Sequence, residues 1–212
     1  LVQQDGVAID MPAGPSEVLI IADKTGNPKY IAADLLSQAE HGADSQVILL
    51  SNDEIQINKT LNELDKQVVE LPRAETAQKA LLNSKAILLK DIEECIAFSN
   101  LYAPEHLIIA SKNTSDYMGE VTNAGSVFLG NYSCESAGDY ASGTNHTLPT
   151  NGYARNYSGV SLESFQKKIT FQKLSKEGIK NIGPSIEIMA EAEELYAHKN
   201  AVTVRLKDLK NV

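Results

Sequence analysis

Short apolar runs without alternation punctuate the first two thirds of the chain, and each is followed by a stretch with helical spacing. The runs are residues 17–23 (EVLIIAD), 46–51 (QVILLS), 86–89 (AILL), 107–110 (LIIA) and 126–129 (SVFL). Stretches rich in Val, Ile and Leu that never alternate with polar residues read as strands covered on both faces. Between them, Asn27 followed by Pro28 predicts a helix start, with Gly42 just past its end. Asn52 or Asp53 predicts the cap of a second helix whose apolar positions include Ile57, Leu61, Leu64 and Val68, closed by Pro72. Further helices are expected over 74–82, from Asp91 to just before Pro104, and over 115–121. Strands alternating with helices imply a mostly parallel α/β sheet. Such sheets bind ligands beyond the carboxyl ends of their strands, although His106 before strand four and His41 at a helix end also bring helix–strand junctions into play.

The pattern begins in mid-stride. Residues 7–10 read as the end of a strand and the chain opens without Met, so it is expected to be a piece of something longer. Residues 1–5 have neither the charged nor the apolar region of a secretory leader. From residue 130 to 159 the composition turns to Gly, Ser, Asn, Thr and Tyr, and so long a structureless stretch is functional or disordered; its Glu135, Asp139 and His146 favour function. Beyond it come a short helix near 162–167, a strand over 169–174, a long helix from about Pro184 to Ala197 and a last apolar segment over 201–206. A boundary is expected near residue 160, giving a domain over 1–160 and a small C-terminal unit over 161–212.

Composition narrows the classes. A formal net charge of −9 opposes a phosphate-backbone partner, so no nucleic acid is expected. No apolar run reaches the ~20 residues that span a bilayer, so no membrane is expected either. Two cysteines, Cys95 in a helical segment and Cys134 in a polar loop, are too few for a disulfide framework, and a reducing cytoplasm is the default.

The four histidines all lie beside a carboxylate or carboxamide in sequence, or near one: His41, His106, His146 and His198. Imidazole is the side chain that titrates near neutrality and the commonest metal ligand. Gln38 and His41, three apart, would share a helix face near its negative end. Pro104 restricts Ala103 to extended backbone, and Glu105 beside His106 suits general acid–base work. Asp139 and His146 lie in the Gly/Ser stretch, and Glu193 and His198 on and just past the last helix. Together Gln38, His41, Asp139 and His198 would offer two nitrogens and two oxygens, a set suited to zinc or a similar divalent ion. Each alone is more often a solvated polar residue, with Glu105 and His106 evenly balanced against an exposed turn before the strand. The Pro/Gly-rich segment 10–17 delivers Ser16 at a strand start. It lacks the glycine spacing and lysine of a phosphate loop, so it is a substrate-positioning loop or a plain turn.

These segments resemble the C-terminal half of the histidinol dehydrogenase family. The resemblance is carried by AIDMPAGPSEV (8–18), AADLLSQAEH (32–41), APEHL (103–107), NAGSVFLG (123–130), ESAGDYASGTNH (135–146) and AHKNAV (197–202). It implies a Rossmann-like α/β fold with a small C-terminal helical unit, and zinc ligands at Gln38, His41, Asp139 and His198. It also implies a water-activating glutamate at Glu105 and a proton-shuttling histidine at His106. Substrate contacts are implied at Ser16, His146 and Glu193, together with His106 and the ligands. The implied activity is a cytoplasmic homodimer that oxidises L-histidinol through L-histidinal to L-histidine with two NAD, in histidine biosynthesis. The metal holds the substrate, and the C-terminal unit of one subunit reaches the other's site. The resemblance places much of the NAD surface upstream of Leu1, no G-x-G-x-x-G element appears, and Pro is commoner than Cys134 at its position. The alternatives left open are a silent metal-binding or dimerisation fragment and a zinc hydrolase of another class. The absence of an H-E-x-x-H helix speaks against the hydrolase.

Overall fold

The computed structural model describes residues 5–6 and 9–210. They form two compact units, Leu1–Gln166 and Lys167–Val212.

The first unit is a five-stranded parallel sheet of order β3-β2-β1-β4-β5, with β1 at Glu17–Ala22, β2 at Gln46–Ser51, β3 at Lys85–Leu88, β4 at His106–Ala110 and β5 at Ser126–Leu129. Strands β1 and β4 are buried along their whole length, because helices cover both sheet faces. One face packs Val18, Ile20, Leu49 and Ile108 against α1 (Pro28–Ala39), α2 (Glu54–Val68) and α3 (Ala74–Leu82). The other packs Leu19, Ile21, Leu50 and Leu107 against Ile92, Cys95 and Ile96 of α4 (Ile92–Tyr102). This is the α/β architecture the unalternating runs predict. Local chemistry starts the helices. The Asn27 and Asp53 side chains accept from Lys29 N and Ile55 N, satisfying backbone donors that the first turn leaves free. The edge strand β3 is mostly exposed.

Several local expectations are corrected. Ala103 is not extended but left-handed, φ 57° and ψ 64°. Its N–H caps α4 by donating to Ser99 O at 2.7 Å, and the resulting turn swings Pro104 and Glu105 back to the sheet. The helix expected over 115–121 is two single 3-10 turns, Thr114–Asp116 and Met118–Glu120. The stretch after β5 contains a helix, α5 (Glu135–Tyr140). Of the strand end expected over 7–10, residues 7 and 8 lie outside the described residues, and Ile9 and Asp10 are in no strand.

In the second unit α6 (Lys176–Ala192) begins eight residues before Pro184, because Ser175 caps it by accepting from Gly178 N. Pro184 therefore sits inside the helix. After Glu193 and a left-handed Glu194 (φ 59°), α7 runs Tyr196–Lys210 and absorbs the apolar segment 201–206. The two helices pack closely: a Cβ on Gly183 would lie 2.9 Å from Leu206 Cδ1. Residues 169–174 form no strand. A strand needs a ladder partner, and with Phe171 93% exposed the segment has none among the described residues.

Candidate functional site

The polar cluster of the first unit gathers at the amino ends of the strands, contrary to the carboxyl-end expectation. Glu17 opens β1 and His106 opens β4, and the register sets Val18 opposite His106 and His106 opposite Ser126. At the carboxyl ends the crevice between β1 and β4 is taken up by the chain's own bonds. Asp23 accepts from Thr25 N and Ser111 Oγ, both at 2.7 Å, Asn131 accepts from Asn27 N, and a Cβ on Gly26 would meet Ala110 O at 2.8 Å.

His106 is the centre of the cluster, and only 3% exposed. Around its Nδ1 lie Gln38 Nε2 at 3.0 Å, the Glu17 carbonyl at 3.2 Å and Glu105 Oε2 at 3.6 Å. Its Nε2 faces Asp139 Oδ1 at 3.8 Å and has no hydrogen-bond partner. Asp139 Oδ1 also lies 3.3 Å from Nδ1 of His146, whose side chain is 69% exposed. The neighbours of Nδ1 ask for opposite tautomers. The Gln38 amide donates to a bare Nδ1 and leaves the proton on Nε2. The Glu17 carbonyl and Glu105 carboxylate accept from a protonated Nδ1 and leave Nε2 as a base. Burial disfavours the charged ring, but the Glu105 carboxylate beside it, helped by the charge of Glu135, outweighs that and raises its pKa.

Glu105 is buried, and its Oε2 accepts from Glu17 N at 2.8 Å. The Glu17 side chain is buried too: Oε1 accepts from Asn151 N at 2.9 Å and Oε2 is unpartnered. Burial foremost, with the Glu105 charge adding, raises the Glu17 pKa. Glu135, at the start of α5, is 1% exposed with one oxygen 3.1 Å from Ser37 Oγ. Burial pushes it up to about 7. Sequence reasoning did not single out Glu17, and it counted Glu135 only among the residues that favour function in the Gly/Ser stretch, with no role of its own. The one local signal was position: Glu17 follows Ser16, and Glu135 precedes Asp139 by one helical turn.

Of the residues singled out, Gln38, Glu105, His106, Asp139 and His146 converge. Ser16, partly exposed, sits beside them at the head of β1, where its carbonyl accepts from Gln46 N. His41 does not share a helix face with Gln38, because α1 ends at Ala39. It lies on the turn beyond, exposed, with its N–H on Gln38 O and its carbonyl accepting from Arg73. Glu193 and His198 are exposed and belong to the second unit, with His198 in the first turn of α7 rather than past the last helix.

Gln38 Oε1 and Asp139 Oδ1 are buried oxygens without a hydrogen-bond partner, and such atoms cost free energy unless a ligand or cation satisfies them. They fit the oxygen half of a zinc site. Among the described residues no three His, Cys, Asp or Glu side chains converge closely enough to hold a metal ion.

A parallel α/β domain with a buried histidine set between carboxylates at its amino edge defines the class. The chain belongs to the histidinol dehydrogenase family, whose model matches residues 1–206; this removes the zinc-hydrolase alternative. It is 59% identical over 210 residues to histidinol dehydrogenase of Bacteroides fragilis, covering 99% of this chain and 49% of that protein. To the chloroplastic histidinol dehydrogenase of Arabidopsis thaliana it is 60% identical, covering 96% of this chain and 44% of that one. The crystal structure of histidinol dehydrogenase from Elizabethkingia anophelis superposes with a TM-score of 0.94 at 72% identity, over 98% of this chain and 48% of that chain. The chain thus spans about half the length of the relatives it matches.

Proposed function

We propose that this chain supplies the acid–base and metal-binding half of an enzyme that oxidises L-histidinol to L-histidine with two NAD. The observation that carries the reading is His106, buried with a free Nε2, held at Nδ1 by Glu17 and Glu105. Gln38, His41, Asp139 and His198 would hold the zinc, which when bound anchors the substrate's imidazole and amino group. In each oxidation a hydride leaves to NAD while His106 Nε2 takes the hydroxyl proton. Between the two, Glu105 draws a proton from water as it adds to the aldehyde, and His106 returns its proton to the carbonyl oxygen, which frees Nε2 for the second oxidation. Asp139 orients the imidazole, and Ser16 and His146 at the rim contact the substrate. The exposed Glu193 and His198 complete the site of a partner subunit in a homodimer, and NAD lies on the part of the relatives' length that this chain does not cover. Both cysteines are free thiols, which suits the cytoplasm, and no described helix is long and apolar enough to cross a membrane.

The test is NADH production from histidinol, together with zinc content, for protein made at the full length of the relatives. Absence of both refutes the proposal. For the chain by itself, a silent fragment is the second reading, favoured by the exposure of His41 on the turn beyond α1. Zinc retained by these 212 residues alone would argue against it.

A further inference from the structure

We infer that Glu135 is a positioning residue that ties the helix carrying Gln38 to the helix carrying Asp139, and so sets the gap between their two unpartnered oxygens. The inference rests on the reading that both side chains ligate zinc. Glu135 and Asp139, four apart, project from one face of α5. Asp34, Ser37 and Gln38 occupy a common stripe of α1 by the same spacing. The polar link between the two stripes is the 3.1 Å contact of Glu135 Oε1 with Ser37 Oγ.

Helix α5 has only six residues, far below the length that is stable by itself, so its place depends on what it docks against. On one side Gly138 presses on Phe128, where a Cβ would lie 2.6 Å from Cε1, and the Phe128 ring is 6.0 Å from that of His106. On the other side Glu135 grips α1. Without that grip the carboxylate of Asp139 loses its fixed distance to Gln38.

The hydrogen count favours a neutral acid at Glu135. Ser37 Oγ has one proton, and the Asp34 carbonyl 2.8 Å away competes for it. With its own proton Glu135 donates to Ser37 Oγ, Ser37 donates to Asp34 O, and both contacts are satisfied. Burial, which pushes Glu135 up to about 7, agrees. A glutamine amide reproduces that donor and an alanine does not.

Zinc affinity of the full-length protein, measured by competition with a chromogenic chelator, tests the inference. E135A is expected to bind zinc about tenfold more weakly or worse, the usual effect of losing a group that holds a ligand in place. E135Q is expected to stay near wild type. S37A should weaken binding as E135A does, and the double variant should be no worse than the weaker single, because both cut one link. S37A carries the test if E135A does not fold. Wild-type affinity in E135A, full additivity with S37A, or an E135Q as poor as E135A would each overturn the inference. A wild-type protein that binds no zinc overturns the ligand reading, and this with it.

Discussion

The side-chain nitrogen of Gln38 lies 3.0 Å from His106 Nδ1 and 3.3 Å from the Glu17 carbonyl, which holds its Oε1 away from both. One amide thus does two things: it presents an oxygen to the candidate metal position and sets its nitrogen against the Glu17 carbonyl and the ring that moves protons. On the proposed reading ligation and acid–base work meet in this pair, and substitutions should separate them.

His106→Ala is expected to retain zinc and to lower kcat by about 100- to 10,000-fold, the usual worth of a positioned acid–base group. His198→Ala and His41→Ala are expected to lose zinc instead, because on the proposed reading each removes a ligand. Steady-state kinetics and zinc titration on full-length protein check the division. Equal zinc loss in all three variants would refute it.

Gln38→Leu keeps the bulk but strips the amide donor from the Glu17 carbonyl. Leaving buried acceptors unmatched costs about 1–3 kcal/mol, so both the denaturation midpoint and zinc affinity should fall. A variant that lost only zinc would show that the amide donor contributes nothing to the fold.

Gly125→Ala should reach the site without touching its side chains. A Cβ there would lie 2.5 Å from the Glu105 carbonyl oxygen, backbone against backbone, so the segment leading Glu105 and His106 into β4 must move. Overpacking of this kind costs about 1–3 kcal/mol. Chemical denaturation and kcat should both register it, and an unchanged kcat would show that the shift is absorbed before Glu105.

Metal-free protein should be less stable at about pH 8 than at about pH 5.5. Burial pushes Asp34 from 3.8 and Glu135 from 4.5 to about 7, and His106 is also raised. A folded pKa above the unfolded one gives stability that is full below the unfolded value and lost as pH rises through the folded value. All three groups act in that direction across this window. Melting temperatures at the two pH values check the sign, and E135Q should narrow the difference. A melting temperature that rises with pH would contradict the burial of these carboxyls.

Much of the fold was legible locally. Residues 17–22, 46–51 and 107–110 never alternate, and the sheet buries them on both faces; Asn27, Asp53 and Asp91 cap the helices they precede. Less legible were features without a local period. Residues 169–174 carry strand-forming side chains but find no ladder, and Ser175 rather than Pro184 starts α6 because a cap side chain outranks a proline that a helix can hold internally at a cost.

The sequence by itself determined the element types, the strand cores and the short list of imidazoles, carboxylates and one carboxamide with chemistry to offer, because spacing and residue type are written along the chain. Tertiary structure alone decided that these groups meet at the amino ends of β1 and β4. It also decided that His41 stands outside the helix beside exposed backbone, and that Glu17 and Glu135 join the site. Whether a carboxyl loses its water, and what then satisfies it, depends on residues up to 134 positions away that only folding brings within reach.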